Sequence, residues 1–142
     1  GLIAAIEWLV RSFSERTGIR TSLRHAGDMP QLPREVEMVA YRTAQEALTN
    51  VAKHAAASEV RLELSDLEGF LTLEVSDNGQ GAPAEALAKS HAFGLLGLRE
   101  RAQTVGGWLD VVNPGPGQGM TLILSVPLSR TSDEELTKGE EA

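Results

Sequence analysis

Helical and strand periodicities alternate along this chain in a way that predicts an α/β (α+β) two-layer sandwich: a mixed, largely antiparallel sheet with its helices on one face. Two observations lead there. Pairs of period-two apolar runs are joined by turn-sized breaks, as antiparallel neighbours are. Segments of helical period fall between those pairs, and each carries one apolar stripe to bury. Size agrees, since 142 residues, 42% apolar and 23% charged, suffice for one domain with a real core.

The opening segment reads as an amphipathic helix, because Leu2, Ala5, Ile6, Leu9 and Phe13 recur at helical spacing and Thr17-Gly18 supplies a stop. Ile19, Thr21 and Leu23 alternate as a short strand. His25 to Leu32 is a loop by its Gly, Asp and Pro content. Pro33 suits the first turn of a long helix running to Ala56, with Val36, Val39, Ala40, Thr43, Ala47, Leu48, Val51 and Ala55 as its buried stripe. Val60-Leu62-Leu64 and Leu71-Leu73-Val75 then form a hairpin across Asp66 to Gly69. A Gly-rich loop, Asp77 to Gly81, precedes a short helix from Pro83 to Lys89. Gly94 opens a further helix, with Leu95, Leu98, Ala102 and Val105 on one face and Gly106-Gly107 at its end. Trp108 to Val112 and Thr121 to Val126 are strands around a Pro/Gly turn, and Pro127 stops the last. Residues 1–128 form the domain; 129–142 are an acidic tail expected to be disordered.

Composition removes several function classes. Thirteen Lys and Arg against 20 Asp and Glu give a net charge of −7. The tail holds two basic and five acidic residues, which leaves the body near −4. A nucleic-acid binder needs a basic surplus to neutralise phosphates, so nucleic acid is not an expected partner. The absence of Cys excludes disulfide scaffolds, thiolate metal sites and Cys nucleophiles. No apolar run approaches the ~18 residues of a membrane span, so no direct membrane contact is expected of this domain.

The long helix carries polar residues on its packed side. With Val36 at zero and about 100° per residue, its apolar stripe spans an arc from about 300° round to about 120°. Asn50 falls near 320° and His54 near 0°, inside the stripe, and Glu46 near 280°, on its border. Lys53 lies beside them. A buried Asn costs free energy unless its amide is paired. Two readings follow: a polar edge satisfied by neighbouring backbone, or the wall of a polar cleft. In the second, the Asn oxygen could share a Mg²⁺ with a phosphate chain. Lys53 and His54 would then face the anion, with Glu46 placed as a base.

Three glycine clusters follow. Asp77-Asn78-Gly79-Gln80-Gly81 ends a strand without starting another, which weakens the usual hairpin reading of Asn-Gly. An Asp fixed there can accept a hydrogen bond from an exocyclic amine such as that of adenine. Gly94-Leu95-Leu96-Gly97 starts a helix, whose free N–H groups and positive end suit a phosphate. Gly115-Pro116-Gly117-Gln118-Gly119, between two strands, reads as a flexible hairpin loop. Neither a Walker A loop nor a Rossmann fingerprint occurs.

Taken in order, these segments resemble the boxes of a sensor histidine kinase. Glu46-Ala-Leu-Thr-Asn50-Val-Ala-Lys53-His54-Ala55 is similar to its N box and Asp77-Asn-Gly79-Gln-Gly81 to its G1 box. Phe93-Gly94-Leu-Leu-Gly97-Leu-Arg99-Glu100-Arg101-Ala, then Gly106-Gly107, resembles its G2 box and following helix. Gly117-Gln-Gly119-Met-Thr121 resembles the final Gly-x-Gly-Thr segment. The phrasing is similar to the nitrate-sensor branch of two-component kinases, and the likeness covers residues 2 to 128. It implies the Bergerat (GHKL) ATP-binding fold shared with gyrase-type ATPases, ninety-kilodalton heat-shock chaperones and mismatch-repair ATPases.

By that resemblance, Asn50 ligates Mg²⁺, Asp77 binds the adenine amine, and Gly79 and Gly81 shape the base pocket. Gly94, Leu95, Leu96 and Gly97 meet the phosphates, Lys53 and His54 face the phosphate chain, and Glu46 is the candidate base. Residues 82–93 form a short ATP lid. Two departures stand out: Ala92 replaces a frequent Gly, and Met120 stands where a Thr often follows the last Gly, leaving the adjacent Thr121 to serve. None of His25, His54 and His91 is followed by the acidic residue that marks a phosphoacceptor. The resemblance therefore implies a cytoplasmic Mg-ATP-binding catalytic domain, in a parent protein that could be membrane-anchored. It would serve a histidine on a dimerisation domain absent from this chain, and downstream a response regulator. The alternatives are a same-fold ATPase, an anti-sigma-factor-type serine kinase, or a non-catalytic nucleotide-binding docking module.

Overall fold

The computed structural model describes residues 1–27, 29, 32–89 and 92–128. The expected tail, 129–142, and His91 lie outside these residues. Five strands form one mixed sheet in the order β1-β2-β3-β5-β4. They are β1 (Arg20–Ala26), β2 (Glu59–Ser65), β3 (Phe70–Asp77), β4 (Trp108–Val112) and β5 (Met120–Pro127). β1 pairs parallel with β2, and all other pairings are antiparallel. The parallel pair needs a long crossover, and α2 (Arg34–Asn50) supplies it.

Burial alternates along β2, β3 and β5 up to the half-buried end residues Asp77 and Met120, so one sheet face is packed and the other open. α1 (Leu2–Thr17), α2 and α4 (Leu95–Thr104) pack on the closed face, and the expected short helix after the Gly-rich loop is the single turn α3 (Ala84–Leu87). Phe13 and Ile6 from α1, Leu48 from α2, Leu98 from α4, and Leu62, Leu73 and Leu124 from the sheet are each at most 2% exposed. Burying a side chain of this size stabilises the fold by about 1.5–3 kcal/mol. α1 ends as expected: Gly18 adopts φ 74°, and its N–H bonds Ser14 O at 2.9 Å.

The long helix differs from its expected form. Regular α-helix stops at Asn50, and Val51–Ala55 continue as one wider π-turn, capped by Ala56 in the left-handed region. The reason is tertiary. The loop after β3 seats against this end, with Gln80 donating from its backbone N–H to Ala55 O (2.7 Å) and from its side chain to His54 O. The widened turn presents those carbonyls to it, and such π-turns concentrate at functional sites. A uniform 100° count therefore slips after Asn50 and misplaces His54, which is exposed at a cleft rim rather than within the apolar stripe.

The Gly115–Gly119 turn is not a free hairpin loop either. Gly117 N–H bonds Gln80 O (2.8 Å), and Gly119 N–H bonds Gly79 O (2.9 Å). Asn113 clamps Ala82 through both of its backbone groups, at 3.1 and 2.6 Å. The two glycine loops thus brace each other at one end of the sheet.

Candidate functional site

Four segments, with Gly81 and Ala82 of the loop after β3, meet over that end of the sheet around an open cleft whose empty space, mouth and adjoining solvent included, is about 450 Å³. The closing part of α2 contributes Ala47, Asn50, Val51 and, from the π-turn, His54 and Ala55. β3 contributes Val75 and Asp77, which alternation turns to the helix-covered face. β5 contributes Met120 and Leu122 by the same rule, and Met120 stands directly opposite Asp77 in register. Phe93, beside Gly94, closes the fourth side. The lining is mostly apolar with a few polar groups, the usual make-up of a small-molecule site.

Asp77 holds the strand end. Its Oδ1 accepts the Gly79 N–H at 2.8 Å, an Asx-type turn that sets the loop's direction. Burial raises its carboxyl above the ordinary aspartate value, while bonds from the backbone of Gly79 and Met120 partly offset the rise. A half-buried carboxyl with an oxygen toward an apolar slot is equipped to take an N–H donor.

The glycines here are required by space. A Cβ on Gly79 would lie 2.1 Å from Ala55 O, and one on Gly119 2.0 Å from Asp77 O. Only glycine lets the two loops close on helix and strand so tightly. Gly81 has φ 70° and packs near Gly115 O and Asn113 Oδ1.

Among the described residues Asn50 is the one buried side-chain amide, 9% exposed. Its Nδ2 donates to Phe93 O at 2.7 Å. Its Oδ1 accepts no hydrogen bond among the described residues, which leaves one hard oxygen donor at the cleft wall. That donor type fits Mg²⁺, which keeps most of its shell as water and phosphate oxygens. No cluster of three acidic or histidine side chains among the described residues could hold a metal unaided. A metal here would therefore be held jointly with a ligand's own oxygens.

The Phe93–Gly94 hinge is strained. Phe93 has φ 57° and Gly94 φ 65°. A left-handed Phe costs about 1–2 kcal/mol and needs surroundings that enforce it. The Asn50 bond does so, and the His54 ring meets the Phe93 ring edge-on at 4.9 Å. Glu46 reaches the same hinge, since a Cβ on Gly94 would lie 3.8 Å from Glu46 Oε2.

The other expected site residues fall in distinct places. Lys53 is exposed on the outer side of the π-turn and does not line the cleft. Leu95 is a core residue at 4% exposure, while Leu96 is 41% exposed and a Cβ at Gly97 would meet open space. What this segment offers is the N–H groups of the first turn of α4, which a helix cannot satisfy internally. Thr121 requires correction. It points to the open sheet face, where its Oγ1 lies 2.6 Å from Ser76 Oγ, while Met120 faces the cleft. Side chains alternate along a strand, so a neighbour cannot stand in for the residue before it. Phe93, Met120 and Ala82 also line the cleft without belonging to the expected site residues, and of these Met120 is legible from period-two alternation on Asp77's partner strand.

Comparison with known proteins gives the family and the fold. The family described as "Histidine kinase-, DNA gyrase B-, and HSP90-like ATPase" matches residues 35–130. Over 129 residues the chain is 36% identical to the signal transduction histidine-protein kinase/phosphatase DegS of Brevibacillus brevis, covering 91% of this chain and 33% of that protein. Over 134 residues it is 34% identical to the sensor histidine kinase YxjM of Bacillus subtilis (strain 168), covering 94% and 32%. The chain thus spans about a third of the length of these curated relatives. The fold matches the histidine kinase domain of the blue-light-activated kinase EL346 of Erythrobacter litoralis, with TM-score 0.76, 24% identity, and coverage of 91% of this chain and 62% of that one. It also matches the nucleotide-free catalytic domain of the histidine kinase ThkA, with TM-score 0.70, 15% identity and 89% of each chain covered.

Proposed function

We propose that this chain, which belongs to the family of histidine kinase-, DNA gyrase B- and HSP90-like ATPases, is the Mg-ATP-binding catalytic domain of a two-component sensor histidine kinase. The observation that carries this is the shared cleft of Asn50 and Asp77, with Phe93 and the start of α4 at its edge. In this reading, Asp77 accepts the adenine amine and Gly79 and Gly81 allow the base to lie against the backbone. Asn50 Oδ1 would help hold Mg²⁺, which neutralises phosphate charge when bound. The N–H groups of Leu95, Leu96 and Gly97 receive the phosphates. His54 stands at the rim, and Lys53 supplies charge from outside the cleft.

The reaction is in-line transfer of the γ-phosphoryl group from ATP to a histidine nitrogen on the parent protein's dimerisation domain, with ADP leaving. A response regulator is the later acceptor. Positioning and charge neutralisation carry most of such catalysis. Glu46, over the Gly94 hinge, is placed to orient the incoming imidazole and take its proton. The setting is cytoplasmic; among the described residues no helix is long and apolar enough to cross a membrane.

Calorimetric titration with a non-hydrolysable ATP analogue, with and without Mg²⁺, tests this. Wild type should bind, and more tightly with Mg²⁺; Asn50→Ala should lose the Mg²⁺ gain. No binding at millimolar analogue would reject the nucleotide site, and an unchanged Mg²⁺ gain in the variant would reject the role of Asn50.

A further inference from the structure

The sheet wall of the cleft carries one polar side chain, and it only accepts. Asp77 and Met120 stand directly opposite each other in register, and both line the cleft. The next pair along the same face is Val75 opposite Leu122, which also line it. The hydroxyls of this stretch, on Ser76 and Thr121, turn to the other face and bond each other at 2.6 Å. Nearby backbone amides are engaged as well. The N–H groups of Gly79 and Met120 go to the Asp77 carboxyl, and that of Ala82 goes to Asn113 Oδ1 at 3.1 Å. On the helical wall, Asn50 gives its Nδ2 to Phe93 O, and His54 stands at the rim. Among the described residues, therefore, no side chain on the sheet wall of the cleft donates a hydrogen bond beside Asp77.

We propose that Met120 is a specificity-determining residue that makes base recognition a single-point readout: an amine donated to Asp77 selects the base, and the ring nitrogen beside that amine lies unread against the Met120 thioether. This rests on the adenine assignment proposed above. Adenine presents a donor, its N6 amine, next to an acceptor, its N1. A carboxylate only accepts, so Asp77 serves the amine and not N1. With Met120, Val75 and Leu122 as its neighbours, N1 meets apolar atoms. An acceptor so placed gains no bond, and exchanging it for an apolar group of the same shape is close to neutral. Methionine suits the position, because its unbranched, polarizable chain packs on a ring edge without requiring a hydrogen bond.

The test measures binding of three nucleoside diphosphates to the 142-residue chain in the presence of Mg²⁺. They are ADP, 1-deaza-ADP, in which C–H replaces N1, and purine riboside diphosphate, which lacks the amine. ADP and 1-deaza-ADP should bind within about threefold of each other. The compound without the amine should bind at least about tenfold more weakly than ADP, as befits a lost bond to a charged acceptor. Met120→Gln puts a side-chain donor at similar reach and should open a gap of at least about fivefold in favour of ADP over 1-deaza-ADP. Met120→Leu, which stays apolar, should keep the wild-type ratio. A purely structural effect of either substitution weakens both ligands alike and leaves the ratio unmoved. A larger wild-type gap between ADP and 1-deaza-ADP would overturn the proposal, because the site would then read N1 through backbone or water. So would a smaller gap in Met120→Gln, or a smaller loss on removing the amine. Failure of ADP itself to bind would reject the nucleotide site, and this inference with it.

Discussion

Asn50 donates its side-chain amide to the carbonyl of Phe93 across 43 positions of sequence, at 2.7 Å, and thereby ties the end of α2 to the turn that walls one side of the cleft. The bond holds a left-handed Phe that would otherwise relax. One side of the amide is thus structural, and the other, Oδ1, faces the cleft. A single residue joins the Phe93–Gly94 turn to the group proposed to meet the metal.

Asn50→Asp separates those two roles. It keeps an oxygen and loses the donor, leaving two oxygens facing each other at Phe93. Amide exchange in residues 93–97 should rise by ~5-fold or more, equivalent to about 1 kcal/mol for one lost bond. Exchange mass spectrometry reads this directly; unchanged protection would mean the bond does not hold the hinge.

Asp77→Asn should bind adenine nucleotides far more weakly and yet be more stable than wild type at neutral pH. The native carboxyl is raised by burial, so its contribution is fully favourable below the unfolded aspartate pKa and is lost as pH rises through the folded value. Removing the charge removes that loss. Nucleotide affinity of the wild type should fall as acid protonates Asp77, whereas the variant's stays flat. Chemical denaturation and binding measured across pH 3 to 7 check both; a variant less stable at pH 7 would contradict the burial argument.

Thr121→Val and Met120→Ala should have opposite signatures. The first breaks the Ser76 bond on the open face and should cost about 1 kcal/mol of stability with nucleotide affinity within twofold. The second empties part of the cleft floor beside Asp77 and should change affinity. A tenfold affinity loss in Thr121→Val would restore Thr121 to the site.

Gly119→Ala would force a methyl to within 2.0 Å of Asp77 O. Overpacking of this kind costs about 1–3 kcal/mol, and here the strain falls on Asp77 itself. The thermal midpoint and nucleotide affinity should drop together. Gly97→Ala, with open space around it, should leave the fold intact.

Most of this protein was legible from order and period alone. The stripe Val36 to Leu48, the alternation of Leu71, Leu73 and Val75, and the glycines after Asp77 are local signals, because burial on one face imprints its period on the chain. Those signals sufficed for the sheet, its helices and the candidate residues Glu46, Asn50 and Asp77. Contacts between distant segments decided the rest. The π-turn at Val51–Ala55 receives Gln80, the last glycine loop is braced by Gly79 and Gln80, which accept its amides, and left-handed Phe93 is held by Asn50. Each reflects hydrogen bonds closed between segments far apart in sequence. Neither propensity nor spacing encodes them, whereas the place of Met120 at the cleft follows from strand alternation once β5 is paired with β3 through Asp77.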